Sequence, residues 1–265
     1  MSATPRWPNG KQCAVAITVN FDGESVEQSV LPDQPLWGRY SYGRYGAQAG
    51  IGRLLDSLAR HDVRATFFIP GYDAERYPEV MARIAADGHE PAGHGYAHED
   101  FSALAPEAQE AALARGEAAF ERIFGAKPRG WRAPDGLMSL ETRAILARRG
   151  YRYDSSYNDD DLPYVVGEGA RRLAELPVFW SSSDRNYYAL YRQPEVVAAA
   201  LIEEFRAMYA VGGLCTLILH PRGDYGSGRQ VRLEAVETIL QRIREEPSVW
   251  LATCGEIADW ALESA

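Results

Sequence analysis

Short apolar runs alternate along this chain with longer stretches whose apolar positions recur at helical period, the pattern of parallel strands buried between crossover helices. The runs at 14–19, 65–69, 89–92, 130–132, 151–153, 173–178, 214–219 and 249–253 predict about eight strands. Helical periodicity predicts helices over 51–60, 77–86, 106–124, 140–149, 194–210, 229–245 and 256–263. Gly88, Gly125 and Gly150 fall just past three of these helices, where a left-handed residue closes the last turn. The Ala- and Glu-rich stretch 108–119 has the composition of a strong helix former, not of low complexity. Strand and helix in alternation predict an α/β fold, a (β/α) barrel.

Two stretches break the pattern. One spans 23–50 and carries Trp37, Tyr40, Tyr42 and Tyr45; the other spans 155–172 and carries Asp159, Asp160 and Asp161. Loops of this length in a compact domain are usually functional rims or lids, so aromatic and acidic residues are expected at the mouth of a site. The chain has 265 residues, of which 46% are hydrophobic, enough for one large domain over 1–265 and close to the roughly 250 residues of such a barrel. Its formal charge of −9 argues against nucleic acid or an anionic membrane as the main partner, and favours a small or neutral substrate. Cys13, Cys215 and Cys254 are odd in number, far apart and beside apolar runs, so reduced thiols are expected. The N-terminal stretch has no apolar core of a leader, and no stretch reaches the ~18 apolar residues of a membrane span. A cytoplasmic location is the expectation.

In such a barrel catalytic groups gather at the carboxyl ends of the strands, so the polar residues directly after apolar runs are the candidates. Asp22 follows 14–19; His94 and His98 follow 89–92; Arg132 closes 130–132; Asp154 follows 151–153; His220 follows 214–219. Pro91, Gly93 and Gly95 make helix improbable around the histidine pair, so both rings are displayed from a strand end or tight loop. One carboxylate and two imidazoles form a set that leaves positions open on a divalent ion, and zinc, cobalt, nickel or iron would suit it. Such an ion acidifies water and polarises a carbonyl, the two requirements for hydrolysing an amide. An imidazole, with an unperturbed pKa of ~6.5, can protonate a departing nitrogen, which suits His220. Arg132 can orient a carboxylate. Each residue alone has a structural alternative: Asp22 as a turn cap, His220 as an anchored strand-end residue, Arg132 as a surface cation. His61, at a helix end, and His89, inside a strand, read as structural.

These residues resemble the polysaccharide deacetylases of the NodB-homology type. The matching segments are Val19-Asn20-Phe21-Asp22-Gly23, Ala65-Thr66-Phe67-Phe68-Ile69-Pro70-Gly71, Gly88-His89-Glu90, His94-Gly95-Tyr96-Ala97-His98, Gly130-Trp131-Arg132-Ala133-Pro134, Tyr153-Asp154-Ser155-Ser156 and Leu217-Ile218-Leu219-His220-Pro221. The resemblance implies a distorted, TIM-like barrel of seven or eight (β/α) units and a divalent metal, most commonly Zn2+. It implies Asp22, His94 and His98 as metal ligands, His220 as general acid, and Arg132 at the position that steers the catalytic carboxylate. In that family the first motif carries two adjacent acids, a base and a metal ligand, whereas here Gly23 follows Asp22. The base is then Glu24, Asp159 or Asp160, or a metal-bound hydroxide acting alone. Trp131, Asp160, Trp180 and Tyr42 are the expected substrate-binding residues.

The variant first motif, with Arg53-Leu54-Leu55, Asp159-Asp160-Asp161-Leu162-Pro163-Tyr164 and Glu175-Leu176-Pro177 before Trp180, resembles a branch of intracellular cyclic imidases, allantoinases and a peptidoglycan deacetylase. That resemblance implies a homo-oligomer, tetrameric in the branch, and hydrolysis of a non-peptide carbon–nitrogen bond. The substrate is expected to be an N-acetylated saccharide or a small cyclic imide or ureide. A catalytically inactive barrel that binds a sugar or heterocycle through its aromatic rim is the alternative, and the missing second acid is its support.

Overall fold

The computed structural model describes residues 7–265, so residues 1–6 of the N-terminal stretch lie outside it. The chain runs β1 (Cys13–Asn20), α1 (Glu24–Val30), α2 (Tyr42–Tyr45), α3 (Ile51–Arg60), β2 (Thr66–Ile69), α4 (Gly71–Arg76), α5 (Pro78–Ala86), β3 (Glu90–Gly93) and α6 (Pro106–Phe124). It continues through β4 (Gly130–Trp131), α7 (Leu140–Arg148), β5 (Tyr153–Asp154), β6 (Tyr164–Val166), β7 (Leu173–Glu175), α8 (Asp184–Tyr188) and α9 (Pro194–Val211). The last elements are β8 (Leu214–Leu219), α10 (Leu233–Arg244), β9 (Val249–Leu251) and α11 (Cys254–Ser264). The strands form one curled sheet in the order β6-β7-β5-β4-β3-β2-β1-β8, parallel except for β6. β9 pairs with the start of β1, Cys13 to Val15, and β2 with its end, Thr18 to Asn20.

Every residue of β1 is buried, and its two-residue period separates two layers. Cys13, Val15, Ile17 and Val19 pack with Leu54, Leu58 and other helix residues in the outer core. Ala14 and Ala16 face the barrel interior with Phe68, Tyr153 and Ala174. Thr18 and Asn20, two and four residues further on, are also buried, and both hydrogen-bond Arg132 in the interior. Along the inner series the barrel therefore changes from apolar at its base to polar at the carboxyl ends of the strands. Among the described residues no helix is long and apolar enough to cross a membrane, and the three cysteines are buried and unpaired.

The barrel does not close by strand pairing. Its outer strands, β6 and β8, are bridged by the irregular chain between β5 and α8: Leu214 N–H donates to Asp161 O at 2.9 Å, Thr216 Oγ1 to Pro177 O at 3.3 Å, and Ser183 pairs with Ile218. The stretch 155–172 contains β6, which the sequence does not announce because its acidic turn and Pro163 obscure a three-residue edge strand. The stretch 23–50 holds α1 and α2 and continues through a π-helical turn, Gly46–Gly50, into α3. These short helices, with α4 and α8, lack an isolated periodic signal and form where tertiary contacts support them.

Asp154 and Glu175 face one another across β5 and β7. Asp154 Oδ1 accepts from Ser155 N–H and Ser156 Oγ, and Glu175 Oε1 from the N–H groups of Ser156 and Tyr157. Their second oxygens have no other partner, an arrangement satisfied by one shared proton. Burial raises both acids, Asp154 to about 6 and Glu175 well above the usual range, the latter raised further by the Asp154 charge. Between their ordinary values and these raised ones the folded chain holds more protons than the unfolded chain, so their contribution to stability falls as pH rises. The variant Glu175→Gln keeps the shape and supplies a donor to Asp154. Thermal melts should show it as stable as the parent near pH 4 and more stable at pH 8; a parallel decline in both proteins would reject the shared-proton pair.

Candidate metal centre and active site

Asp22 leaves the end of β1 with φ 39°, a left-handed conformation uncommon for a residue with a Cβ. His94 follows β3, and His98 lies in the next turn with φ 59°. Asp22 Oδ1 is 3.5 Å from His94 Nε2 and 3.7 Å from His98 Nε2, and the three donor atoms lie within 4.8 Å of one another. All three residues are buried. His94 Nδ1 is 2.8 Å from Arg132 O; a carbonyl only accepts, so Nδ1 carries a proton and Nε2 is turned toward Asp22. Asp22 Oδ1 and the Nε2 atoms of His94, His98 and His220 have no hydrogen-bond partner. Four such atoms buried together are costly without a ligand, and the O and N donors match those of a zinc-type ion.

Burial pushes the Asp22 carboxyl up, but the imidazole of His94 and the charges of His98 and His220 hold it well below the usual carboxylate range. Burial lowers His98, and the Asp22 charge only partly offsets this. His220 approaches from the opposite side, with Nε2 3.6 Å from Asp22 Oδ2. Its Nδ1 is 2.6 Å from Asp184 Oδ1. Asp184 Oδ2 accepts from the N–H groups of His220 and Ser227 and from Ser227 Oγ. This buried carboxylate orients the ring. Sequence reasoning missed Asp184: it opens the short helix α8, 36 residues before His220, with no motif to mark it.

Arg132 lies under the donors, fully buried. Its Nη1 donates to Thr18 Oγ1 at 2.9 Å and Asn20 Oδ1 at 3.0 Å, its Nε and Nη2 to the carbonyl and hydroxyl of Ser155, and its guanidinium lies 4.0 Å over Phe68. Burial lowers its pKa to about 10, so it stays charged at neutral pH. Asn20, not a carboxylate, meets it, so among the described residues the guanidinium hydrogen-bonds no acid that it could steer.

Glu24 does not join the donors. Its oxygens accept from Arg44 at 2.8 Å, Arg76 at 3.0 Å and Tyr77 at 2.8 Å; burial raises its pKa, and these three partners bring it below the usual value. Position 23 is closed to a side chain, because a Cβ on Gly23 would lie 2.4 Å from Asp73 Oδ1. Asp73, from α4, accepts from Gly23 N–H at 3.0 Å, Ser25 N–H at 3.2 Å and Ser25 Oγ, and burial raises it to about 7.

Of the expected substrate-binding residues, Trp131 is a correction. Arg132 takes the inward position, so the neighbouring Trp131 points outward, fully buried and edge-on to Phe101 at 5.0 Å. Asp160 is a second correction: it is exposed and accepts from Leu162 N–H at 3.0 Å, capping its own turn, as Asp159 does for the Tyr164 hydroxyl. Trp180 stays at the rim, packed over Gly136 beside Asp135, whose carboxylate pairs with Arg185. Tyr42 is exposed on α2, next to Gly43, which approaches Gly23 too closely for a Cβ. A cleft of about 400 Å³ opens at His98, lined also by Gln28, Ser29, Pro134 and Asp135.

Residues 45–153 match the sequence profile of polysaccharide deacetylases. A crystal structure from Mycobacterium smegmatis, assigned to the polysaccharide deacetylases, is 35% identical with a TM-score of 0.93, covering 99% of this chain and 94% of that one. A peptidoglycan deacetylase of Helicobacter pylori is 27% identical over 284 residues, 94% of this chain and 96% of that protein. A peptidoglycan deacetylase-like protein of Gibberella zeae is 37% identical over 154 residues, which is 57% of this chain and 46% of that protein, so the match spans about half the length of that relative. The chain belongs to the polysaccharide deacetylase family, hydrolases of carbon–nitrogen bonds other than peptide bonds.

Proposed function

We propose that the protein is a metal-dependent hydrolase of a small amide: an N-acetylated saccharide, or a cyclic imide or ureide. The observation that carries this reading is the cluster of three buried, unpartnered donor atoms, Asp22 Oδ1 and the Nε2 atoms of His94 and His98. Asp22, His94 and His98 would hold a divalent ion, with zinc the best match to two imidazoles and a carboxylate. Such an ion supplies a water of lowered pKa and polarises the scissile carbonyl. The H. pylori and G. zeae relatives are named for a cell-wall polymer. Here the donors are buried, and the cleft of about 400 Å³ that opens at His98 favours a small molecule or the end of a short chain.

His220 would give its Nε2 proton to the departing nitrogen, while Asp184 keeps Nδ1–H fixed and the ring aligned. Arg132 acts through structure: its carbonyl sets the His94 tautomer and its guanidinium ties Thr18 and Asn20 of β1 to Ser155. No carboxylate base separate from Asp22 is assigned, because Glu24 is held by two arginines and a tyrosine, and Asp73 fills the space at position 23. A barrel that binds the same compounds without turnover is favoured by that lack of a second carboxylate on the donors among the described residues.

Elemental analysis should find one zinc per chain, and His98→Ala should lose both the metal and turnover. The substrate screen comprises N-acetylglucosamine oligomers, read by acetate release, and dihydrouracil, succinimide and allantoin, read by ring opening. Full activity in metal-stripped protein would falsify the metal reading; binding without turnover across the set would establish the inactive barrel. The variants His220→Gln and Asp184→Asn should each lower kcat by roughly 10²–10⁴-fold with zinc content unchanged. Undiminished kcat in His220→Gln would remove that residue from the proton transfer. Gly23→Asp, which restores the family's adjacent acids, should lose about 1–3 kcal/mol of stability by overpacking against Asp73 and should not raise turnover. A gain in kcat there would show that the missing acid, not Asp73, matters.

A further inference from the structure

Tyr225 has no part in the scheme above, yet its hydroxyl touches the central carboxylate. It sits on the loop after β8, which folds back on itself: Ser227 N–H donates to His220 O at 2.8 Å, and a Cβ on Gly226 would lie 2.3 Å from that same carbonyl oxygen. Arg232 Nη1 donates to Asp224 O at 2.9 Å and Gly226 O at 2.6 Å, fixing the backbone on both sides of Tyr225. The Tyr225 ring stands edge-on to His220 at 5.4 Å and 80°. The guanidinium groups of Arg185 and Arg222 each lie 4.7 Å from its centroid. So held, the hydroxyl donates to Asp22 Oδ2 at 3.0 Å. Oδ1 of the same carboxylate, facing His94 and His98, has no partner.

The geometry points to Tyr225 as a positioning residue for the metal ligand: by engaging Oδ2 it presents Asp22 to a cation through a single oxygen. This rests on the metal reading proposed above. A carboxylate free to rotate can offer both oxygens and fill a position on the ion that reactants need. Arg222 adds to the constraint from the backbone side, donating from Nη1 to Asp22 O at 3.1 Å and Gly23 O at 3.3 Å. The carboxylate is therefore fixed at its carbonyl and at one of its two oxygens, and only Oδ1 remains.

The test compares the full-length protein with Tyr225→Phe, which keeps the ring and deletes the donor. Zinc affinity is measured by chelator competition, and the ligand field by visible absorption of the cobalt-loaded proteins. Hydrogen-bond partners of metal ligands are worth roughly 10–100-fold in affinity, and a change of that size is expected in the variant. Its cobalt band should also weaken as Oδ2 joins the ion and the coordination number rises. Equal affinity and an identical spectrum in the two proteins would overturn the inference and leave the metal reading standing. Failure of the parent to bind zinc or cobalt would overturn both. If Tyr225→Phe does not fold, the parent's cobalt spectrum decides: an intense band of low coordination supports the inference, and a weak six-coordinate band overturns it.

Discussion

Everything at the polar end of this barrel depends on keeping one carboxylate ionised where water does not reach. Moving a carboxylate out of water costs several kcal/mol even after relaxation, so a buried anion persists only where its surroundings offset that cost. Asp22 has three imidazoles about it and a phenol on Oδ2. Its left-handed backbone adds strain, which the surrounding hydrogen bonds to Asp22 O and Gly23 N–H and O oppose. The same contacts that keep the anion in place determine which of its lone pairs remain available, so electrostatics and chemistry at this site have one origin.

Much of this was legible in the chain. The alternation in β1 already separates an outward Val15–Ile17–Val19 series from an inward one that ends in Thr18, Asn20 and Asp22. Collecting polar residues after apolar runs found Asp22, His94, His98 and His220, because parallel strands deliver their ends to one rim. The same alternation also decided Trp131: two neighbours on a strand cannot both face inward, and the buried arginine took the interior. Glu24, Asp184 and Tyr225 were not legible. Their roles depend on partners contributed by distant segments, Arg76 and Tyr77, His220, and Asp22 respectively, and no local period records such a meeting.

The departure at position 23 has a physical cause. The volume that a second acid's side chain would enter is taken by a carboxylate from α4, which also caps the N–H groups at the start of α1. Two carboxylates there would bring like charges together in a dry interior beside Asp22, whose charge already contributes to the raised pKa of Asp73. Gly23 and Asp73 therefore form one steric and electrostatic unit, and a substitution at either is felt at the other.

The seam between the two sheet edges gives the barrel an asymmetry. The eight strands from β6 to β8 are laced by ladders, β8 to β1 over six residue pairs, whereas the gap beyond β8 is crossed only by scattered single bonds from the chain between β5 and α8. Asp184 follows directly after Ser183, the last of those bridging residues, and holds His220 at the end of β8. The aspartate–imidazole couple thus lies across the gap, whereas Asp22, His94 and His98 follow β1 and β3 inside the laced sheet. The couple proposed to deliver a proton therefore spans the seam, while the donors proposed to hold an ion stand to one side of it.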